Sequence, residues 1–222
     1  MKIVKPQVSL EWITPTPLQA IERAGRVCYK SEDKITDDSA EIFCRMIYKR
    51  GHESVIEHAV ASLRIVCDRG VSHEIVRHRI ASYSQESTRY CNYSKDKFGN
   101  EINVIMPPDI GYCSDPECGS ACPRLGPICE QCQLTDIWFM GVEAAESTYK
   151  QLTQRGISPQ IARSVLPNCL KTELVMTANF REWRHFLTLR TDKAAHPQMR
   201  EIAFMVKAIL AEKCPFVFGD EA

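Results

Sequence analysis

The sequence predicts a single domain that mixes helices with strands of a sheet, and two patterns predict it. Apolar residues return at helical spacing in long stretches, most clearly over 134–152, while the stretches 59–67 and 168–179 alternate as strands with one covered face do. With 222 residues and 44% hydrophobic content, one sizeable core can be buried, so one domain over 1–222 is expected.

The elements follow in chain order. Thr16-Pro17 opens a helix over 17–30, with Leu18, Ile21, Ala24 or Gly25, and Cys28 at helical spacing. A second helix over 38–50 is capped by the TDDS segment and closed by Gly51. Alternation over 59–67 places Ala61, Leu63, Ile65 and Cys67 on one strand face. A short helix over 71–79, with Val71, Ile75 and Val76 inward, delivers Arg77, His78 and Arg79 at its end. From 82 to 89 the residues favour extended chain, with Gln85, Ser87 and Arg89 on one face and Glu86, Thr88 and Tyr90 on the other. A short strand over 102–108 ends in prolines. A long helix then carries Leu134, Ile137, Trp138, Gly141, Ala144, Ala145, Thr148, Tyr149 and Leu152. Ser158-Pro159 begins a short helix that projects Arg163, and the strand over 168–179 has Leu170, Thr172, Leu174 and Met176 on one face. Asn179 is the N-cap of a helix to Arg190 in which Trp183, Phe186 and Leu189 face the core, and a last amphipathic helix covers 202–214.

Composition narrows the function. Basic and acidic residues number 28 each, so no bulk electrostatic attraction supports nucleic-acid binding, and any anion site must be local. The N-terminal segment lacks an apolar core, and no run of about 18 apolar residues occurs, so neither a signal peptide nor a membrane span is expected and a cytoplasmic location is. Of the 11 cysteines, Cys28, Cys44, Cys67, Cys91, Cys169 and Cys214 stand singly and read as small core residues.

Chemistry concentrates at RHRIASYSQESTRY, residues 77–90. Arginine forks bind phosphate or carboxylate bidentately and hydroxyls add short hydrogen bonds, so this density suits a polyanionic, hydrogen-bond-rich ligand; the competing reading is a solvated surface turn. On the 179–190 helix, Arg181 and His185 share a face, with Arg190 roughly opposite to Arg181. A G-x-S-x-G elbow, a P-loop and a G-x-G-x-x-G are all missing, so a nucleotide or flavin would be held by side chains.

Arg77, His78 and Arg79 followed by seven residues and Ser87 resemble the hallmark of the flavin-dependent thymidylate synthases. GHESVIEH, ARSVLP, NFREWRHFLTLR and KAAHPQMREIA extend the resemblance over nearly the whole chain. It implies α+β subunits with a central, mostly antiparallel sheet flanked by helices, assembled as a homotetramer. It further implies FAD, reduced by NADPH, and transfer of the methylene of methylenetetrahydrofolate to C5 of dUMP, giving dTMP. Flavin contacts would fall on Ser54, Arg77, His78, Arg79 and Gln85 and, from a neighbouring subunit, on Asn179, Arg181 and His185. Nucleotide contacts would fall on Glu74, Arg77, Gln85, Glu86, Ser87, Thr88, Arg89, Arg163 and Arg190. Arg190 is the implied activator of the uracil ring, with no enzyme nucleophile. A hydroxymethylating relative and a zinc-containing nucleic-acid-binding module are the alternatives.

Four positions depart from the family's pattern: Glu74 where many members have glutamine, Ser84 and Gln85 where some have Asn-Glu, and His185 where others have asparagine. A cysteine-rich insert at about 112–133 departs further. Its Cys129-x2-Cys132 pair reads as a zinc half-site that two of Cys113, Cys118 and Cys122 could complete, with disulfides or surface thiols as the other readings.

Overall fold

A computed structural model describes residues 1–113 and 129–219. In order, its elements are β1 (Lys2–Ile3), β2 (Gln7–Ile13), α1 (Pro17–Tyr29), α2 (Ser39–Lys49), β3 (Val60–Asp68), α3 (Arg69–Ile75), β4 (Ala81–Gln85), β5 (Asn103–Val104), α4 (Glu130–Gln154), α5 (Pro159–Ala162), β6 (Lys171–Asn179), α6 (Phe180–Arg190), α7 (Pro197–Lys213) and α8 (Pro215–Phe218). The chain forms two compact units and passes between them several times. One comprises Gln7–Val66, His73–Gln85 and Glu173–Ala222, and the other Met1–Pro6, Cys67–Ser72 and Glu86–Thr172. None of the described helices is long and apolar enough to cross a membrane.

The first unit is built on a four-stranded sheet in the order β2-β3-β6-β4. β2 pairs antiparallel with β3, from Gln7 opposite Val66 to Ile13 opposite Ala61, and β4 pairs antiparallel with β6, from Ala81 opposite Ala178 to Gln85 opposite Leu174. Phe180 N donates to Ala59 O at 2.8 Å and Thr177 Oγ1 lies 2.8 Å from Ser62 Oγ, so β3 and β6 also run in opposite senses. The sheet is mostly antiparallel and flanked by helices, as expected. Ala61, Leu63 and Ile65 on β3 and Leu174, Met176 and Ala178 on β6 are buried, which is the alternation visible in the sequence. Trp183 and Phe186 of α6 are buried in the same unit, and the Trp183 indole donates to Ala61 O at 3.0 Å, so its one polar atom is satisfied. Close packing of α1 depends on Gly25: a Cβ there would stand 2.6 Å from the Phe43 ring of α2 and 2.9 Å from Val55.

The second unit pairs β1 with β5 in parallel and packs the long helix α4 over Tyr93, Ile102, Val104 and Leu170. Tyr149 of α4 is fully buried, and its hydroxyl accepts the Tyr93 N–H at 3.3 Å.

Several expectations are corrected. The helix expected over 71–79 begins at Arg69 and ends at Ile75, because Asp68 Oδ1 accepts the Val71 N–H at 2.8 Å and starts it early. Val76 then falls beyond the helix and is exposed. The extended stretch stops at Gln85. Ser87 O accepts the N–H groups of Tyr90 (3.1 Å) and Cys91 (2.9 Å), so Ser87, Thr88 and Arg89 lie in a turn and do not alternate between strand faces. Leu134, Ile137 and Leu189 are exposed, while Cys132, Thr135 and Leu187 take the buried positions. Cys28 is exposed and Cys91 and Cys169 are half-buried, which leaves Cys44, Cys67 and Cys214 as core cysteines of the six. β1 and β2 were not expected at all.

Candidate active site

The β6–α6 junction positions most of the site in the first unit. Asn179 Oδ1 accepts the Glu182 N–H at 2.8 Å and so caps α6. With Phe180, Trp183, Phe186 and Leu187 inward, the face bearing Arg181, Arg184, His185 and Thr188 is left for a ligand. Opposite stands the segment after α3. Tyr83 Oη sits between the carbonyl oxygens of Ile75 (3.0 Å) and His78 (2.6 Å), and burial pushes this phenol up to about 12, so it remains a donor at neutral pH.

Between these elements lies a cavity of about 660 Å³, within the size range of small-molecule sites. Arg77, His78, Arg79, Asn179, Arg181 and His185 all line it from a single chain, together with Glu53, Glu57, Glu182 and Arg184. Arg181 Nη1 donates to Glu57 Oε1 at 2.7 Å. Arg184 pairs with Glu53, donates to Tyr48 Oη at 2.8 Å and lies 4.4 Å over the Tyr48 ring. Among the described residues Arg77 and Arg79 form no ion pair, so these two exposed cations are available to an anion.

Behind the cavity runs a buried chain of hydrogen bonds. His78 Nδ1 lies 3.1 Å from Glu182 Oε1, and His78 Nε2 accepts from Arg190 Nε at 3.1 Å. Arginine can only donate, so His78 Nε2 carries no proton and the ring is the Nδ1–H tautomer, donating to Glu182. Burial, then the positive charge of Arg190 and of His185, lowers the His78 pKa from 6.5 to about 4; burial raises that of Glu182. Arg190 is further held by Glu74, through Nη1 to Oε2 at 2.9 Å and Nη2 to the backbone oxygen at 3.0 Å. Three of its five N–H groups are thus committed and two are left, one on each terminal nitrogen. His78, Glu182 and His185 have donor atoms within 4.8 Å of one another, but both His78 nitrogens are engaged, which argues against a metal there.

The second unit holds the rest of the hallmark. Ser87 Oγ accepts the Arg89 N–H at 3.3 Å and shapes the turn. Thr88 is buried and its Oγ1 accepts from Arg163 Nη1 at 3.0 Å, while Arg89 and Arg163 are exposed. Glu86 accepts from Tyr93 Oη and from Lys171 Nζ, each at 2.8 Å, so both of its oxygens are committed within the unit.

Two of the residues expected at the flavin stand apart from the cavity lining: Ser54 is exposed on the 3-10 turn Glu53–His58, and Gln85 ends β4. Glu182, Arg184, Glu53 and Glu57 were missed. Arg184 follows Arg181 by three positions and Glu57 follows Glu53 by four, spacings that place each pair on one helical face. In the insert, Cys113, Cys129 and Cys132 come together, and Cys118 and Cys122 lie outside the described residues.

Sheet and cavity define an α+β protein with an arginine-rich pocket suited to an anionic, hydrogen-bonding ligand. The family model described as "Thymidylate synthase complementing protein" matches residues 9–216. A flavin-dependent thymidylate synthase of Mycobacteroides abscessus is 35% identical over 207 residues, 90% of this chain and 78% of the relative. Its counterpart in Geobacter sulfurreducens is 31% identical over 221 residues, 96% and 86% respectively. Among solved structures, a UMP/dUMP methylase, PolB, from Streptomyces cacaoi bound with 5-Br dUMP superposes with TM-score 0.77 over 98% of this chain and 95% of that one, at 24% identity, and so shares the fold. The chain belongs to the flavin-dependent thymidylate synthase family.

Proposed function

We propose that this chain converts dUMP to dTMP, taking the one-carbon unit from methylenetetrahydrofolate and the electrons from NADPH by way of FAD. The observation that carries this reading is Arg190, a guanidinium fixed at three donors with two to spare. Uracil C5 is a weak nucleophile. A cation against the O2/N3 edge of the ring stabilises the negative charge that develops as C5 attacks, and a cation already held in place spends nothing on reorganisation. Glu74 and His78 do the holding, and Glu182 keeps His78 in the tautomer that can accept from Arg190. A substrate-directed role for Glu74, which the resemblance implied, gives way here to support of Arg190.

The cavity residues fit a flavin. Arg77 and Arg79 are cations without ion pairs among the described residues, suited to a pyrophosphate, and Asn179 and His185 add hydrogen-bonding groups. When bound, the flavin supplies the reduction that turns the transferred methylene into a methyl group. Ser54 and Gln85 remain in the flavin set by family resemblance alone. Arg89 and Arg163 serve the nucleotide phosphate, with Thr88 orienting Arg163 and Ser87 shaping the turn. The same resemblance carries Arg77, Gln85 and Glu86 as nucleotide contacts, one domain spanning both units, and assembly as a homotetramer.

The test is the mass of the nucleotide product after incubation of dUMP with the protein, FAD, NADPH and methylenetetrahydrofolate. A product one CH2 heavier than dUMP supports the reading. Unchanged dUMP, or a hydroxymethylated product, overturns it.

A further inference from the structure

At the head of α4, three cysteines from two parts of the chain converge. Cys129 is the N-cap of this 25-residue helix, Cys132 lies one turn on and is fully buried, and Cys113 comes from the segment after β5. Their three Sγ atoms all lie within 4.8 Å of one another, with Cys113 Sγ at 3.5 Å from each of the other two. A zinc–thiolate bond of about 2.3 Å implies a tetrahedron with edges of about 3.8 Å, so the sulfurs already stand near the spacing that one ion imposes. Such a separation suits a single metal ion better than a larger cluster.

Two features of the surroundings suit a cluster of sulfur ligands. The N-terminus of a long helix stabilises negative charge, and the Cys113 N–H donates to Cys132 Sγ at 3.4 Å. The segment that carries Cys113 is also held against α4 by hydrogen bonds that do not involve sulfur. Gly111 N donates to Thr135 Oγ1 at 3.1 Å, and Gln131 Nε2 donates to the carbonyl oxygens of Asp109 (3.1 Å) and Gly111 (3.0 Å). These bonds bring Cys113 to the head of α4, beside Cys129 and Cys132.

We propose that Cys113, Cys129 and Cys132 bind one zinc ion as three thiolate ligands of a tetrahedral site, with the fourth position taken by a further ligand. The ion is structural: it neutralises three clustered thiolates and ties the segment before Cys113 to the head of α4. Nothing in this proposal depends on thymidylate synthesis.

Metal analysis of the chain, produced with zinc in the medium and purified without chelator, tests it. About one zinc per chain is expected, and reconstitution with cobalt(II) should give thiolate-to-metal charge-transfer bands and the visible bands of a tetrahedral ion. Cys113→Ser, Cys129→Ser and Cys132→Ser should each lower zinc content, and Cys28→Ser, at an exposed cysteine of the other unit, should not. A chelator should lower the unfolding temperature of the wild-type chain. If a serine variant fails to fold, the zinc and cobalt measurements on the native chain decide alone. Zinc below about a tenth of an equivalent with no cobalt bands, iron in its place, or a disulfide among these cysteines in freshly purified protein would overturn the proposal.

Discussion

Glu182→Leu tests the buried chain behind Arg190 more sharply than any change in Arg190 itself. Leucine fills similar volume but leaves His78 Nδ1–H, in a ring only 4% exposed, without its acceptor. An unsatisfied buried donor costs about 1–3 kcal/mol, and His78 can avoid that cost by moving its proton to Nε2, where it opposes Arg190 Nε–H. In the switched tautomer the Arg190 position loses one of its three anchors, and in the unswitched one the buried donor weakens the support behind it. If that cost is felt in full in the transition state, kcat/KM for dTMP formation falls by about 5- to 150-fold, at about 1.4 kcal/mol for each factor of ten. Glu182→Gln keeps a carbonyl oxygen that can accept from Nδ1–H, so it should stay within a few-fold of wild type. The assay is steady-state dTMP formation with flavin saturating in every variant, alongside urea unfolding to separate lost positioning from lost fold. Wild-type kcat/KM in Glu182→Leu, or equal losses in the leucine and glutamine variants, would refute the reasoning.

Three further outcomes are expected. Arg190→Ala should abolish dTMP formation while leaving bound flavin largely intact, and Arg190→Lys should fail nearly as badly, because one ammonium cannot reproduce three anchors and two free donors; product assay and flavin absorbance read the two effects. The unfolded chain takes up a proton at His78 near pH 6.5 that the folded chain refuses until about pH 4, so stability falls as pH drops through that window. At about 1.4 kcal/mol per pH unit the loss attributable to His78 is about 3 kcal/mol. Burial raises the Glu182 pKa and works in the opposite sense, so the His78 share is read as the slope that disappears in His78→Gln when urea unfolding is compared between pH 7 and pH 4. Gly25→Ala should destabilise by about 1–3 kcal/mol, seen as a lower urea midpoint, since the new methyl meets the Phe43 ring at 2.6 Å; an unchanged midpoint would mean that α1 and α2 separate without cost.

The parts of the fold legible in the sequence were those whose signal is local. Alternation over 168–179, followed by a cap and a 3.6-residue period, identified β6 and α6 because each strand or helix face is written in consecutive residues, although β6 itself begins only at Lys171. Arg77, Arg79 and Arg181 of the cavity were legible for the same reason, while Arg184 was not. Less was visible where the deciding partner is distant or is backbone. Glu182 gains its role from His78, 104 positions away, and Glu74 from Arg190, 116 positions away, so neither contact has a sequence period. The turn at Ser87 is made by its carbonyl oxygen, which every residue type shares, and residue chemistry alone favoured an extended strand there. On α4 the apolar residues Leu134 and Ile137 suggested the buried face, but Cys132 and Thr135 occupy it beside Cys113, a pairing set by the segment that packs against them.

The central claim is that the arginine cavity holds a flavin whose reduction is coupled to the nucleotide. It is tested most directly by the visible spectrum of the purified chain mixed with FAD, freed of excess, and then given NADPH without air, with and without dUMP. The account predicts retained flavin bands that bleach on NADPH, and bleach faster when dUMP is present. A chain that retains no flavin and shows no bleaching would contradict it.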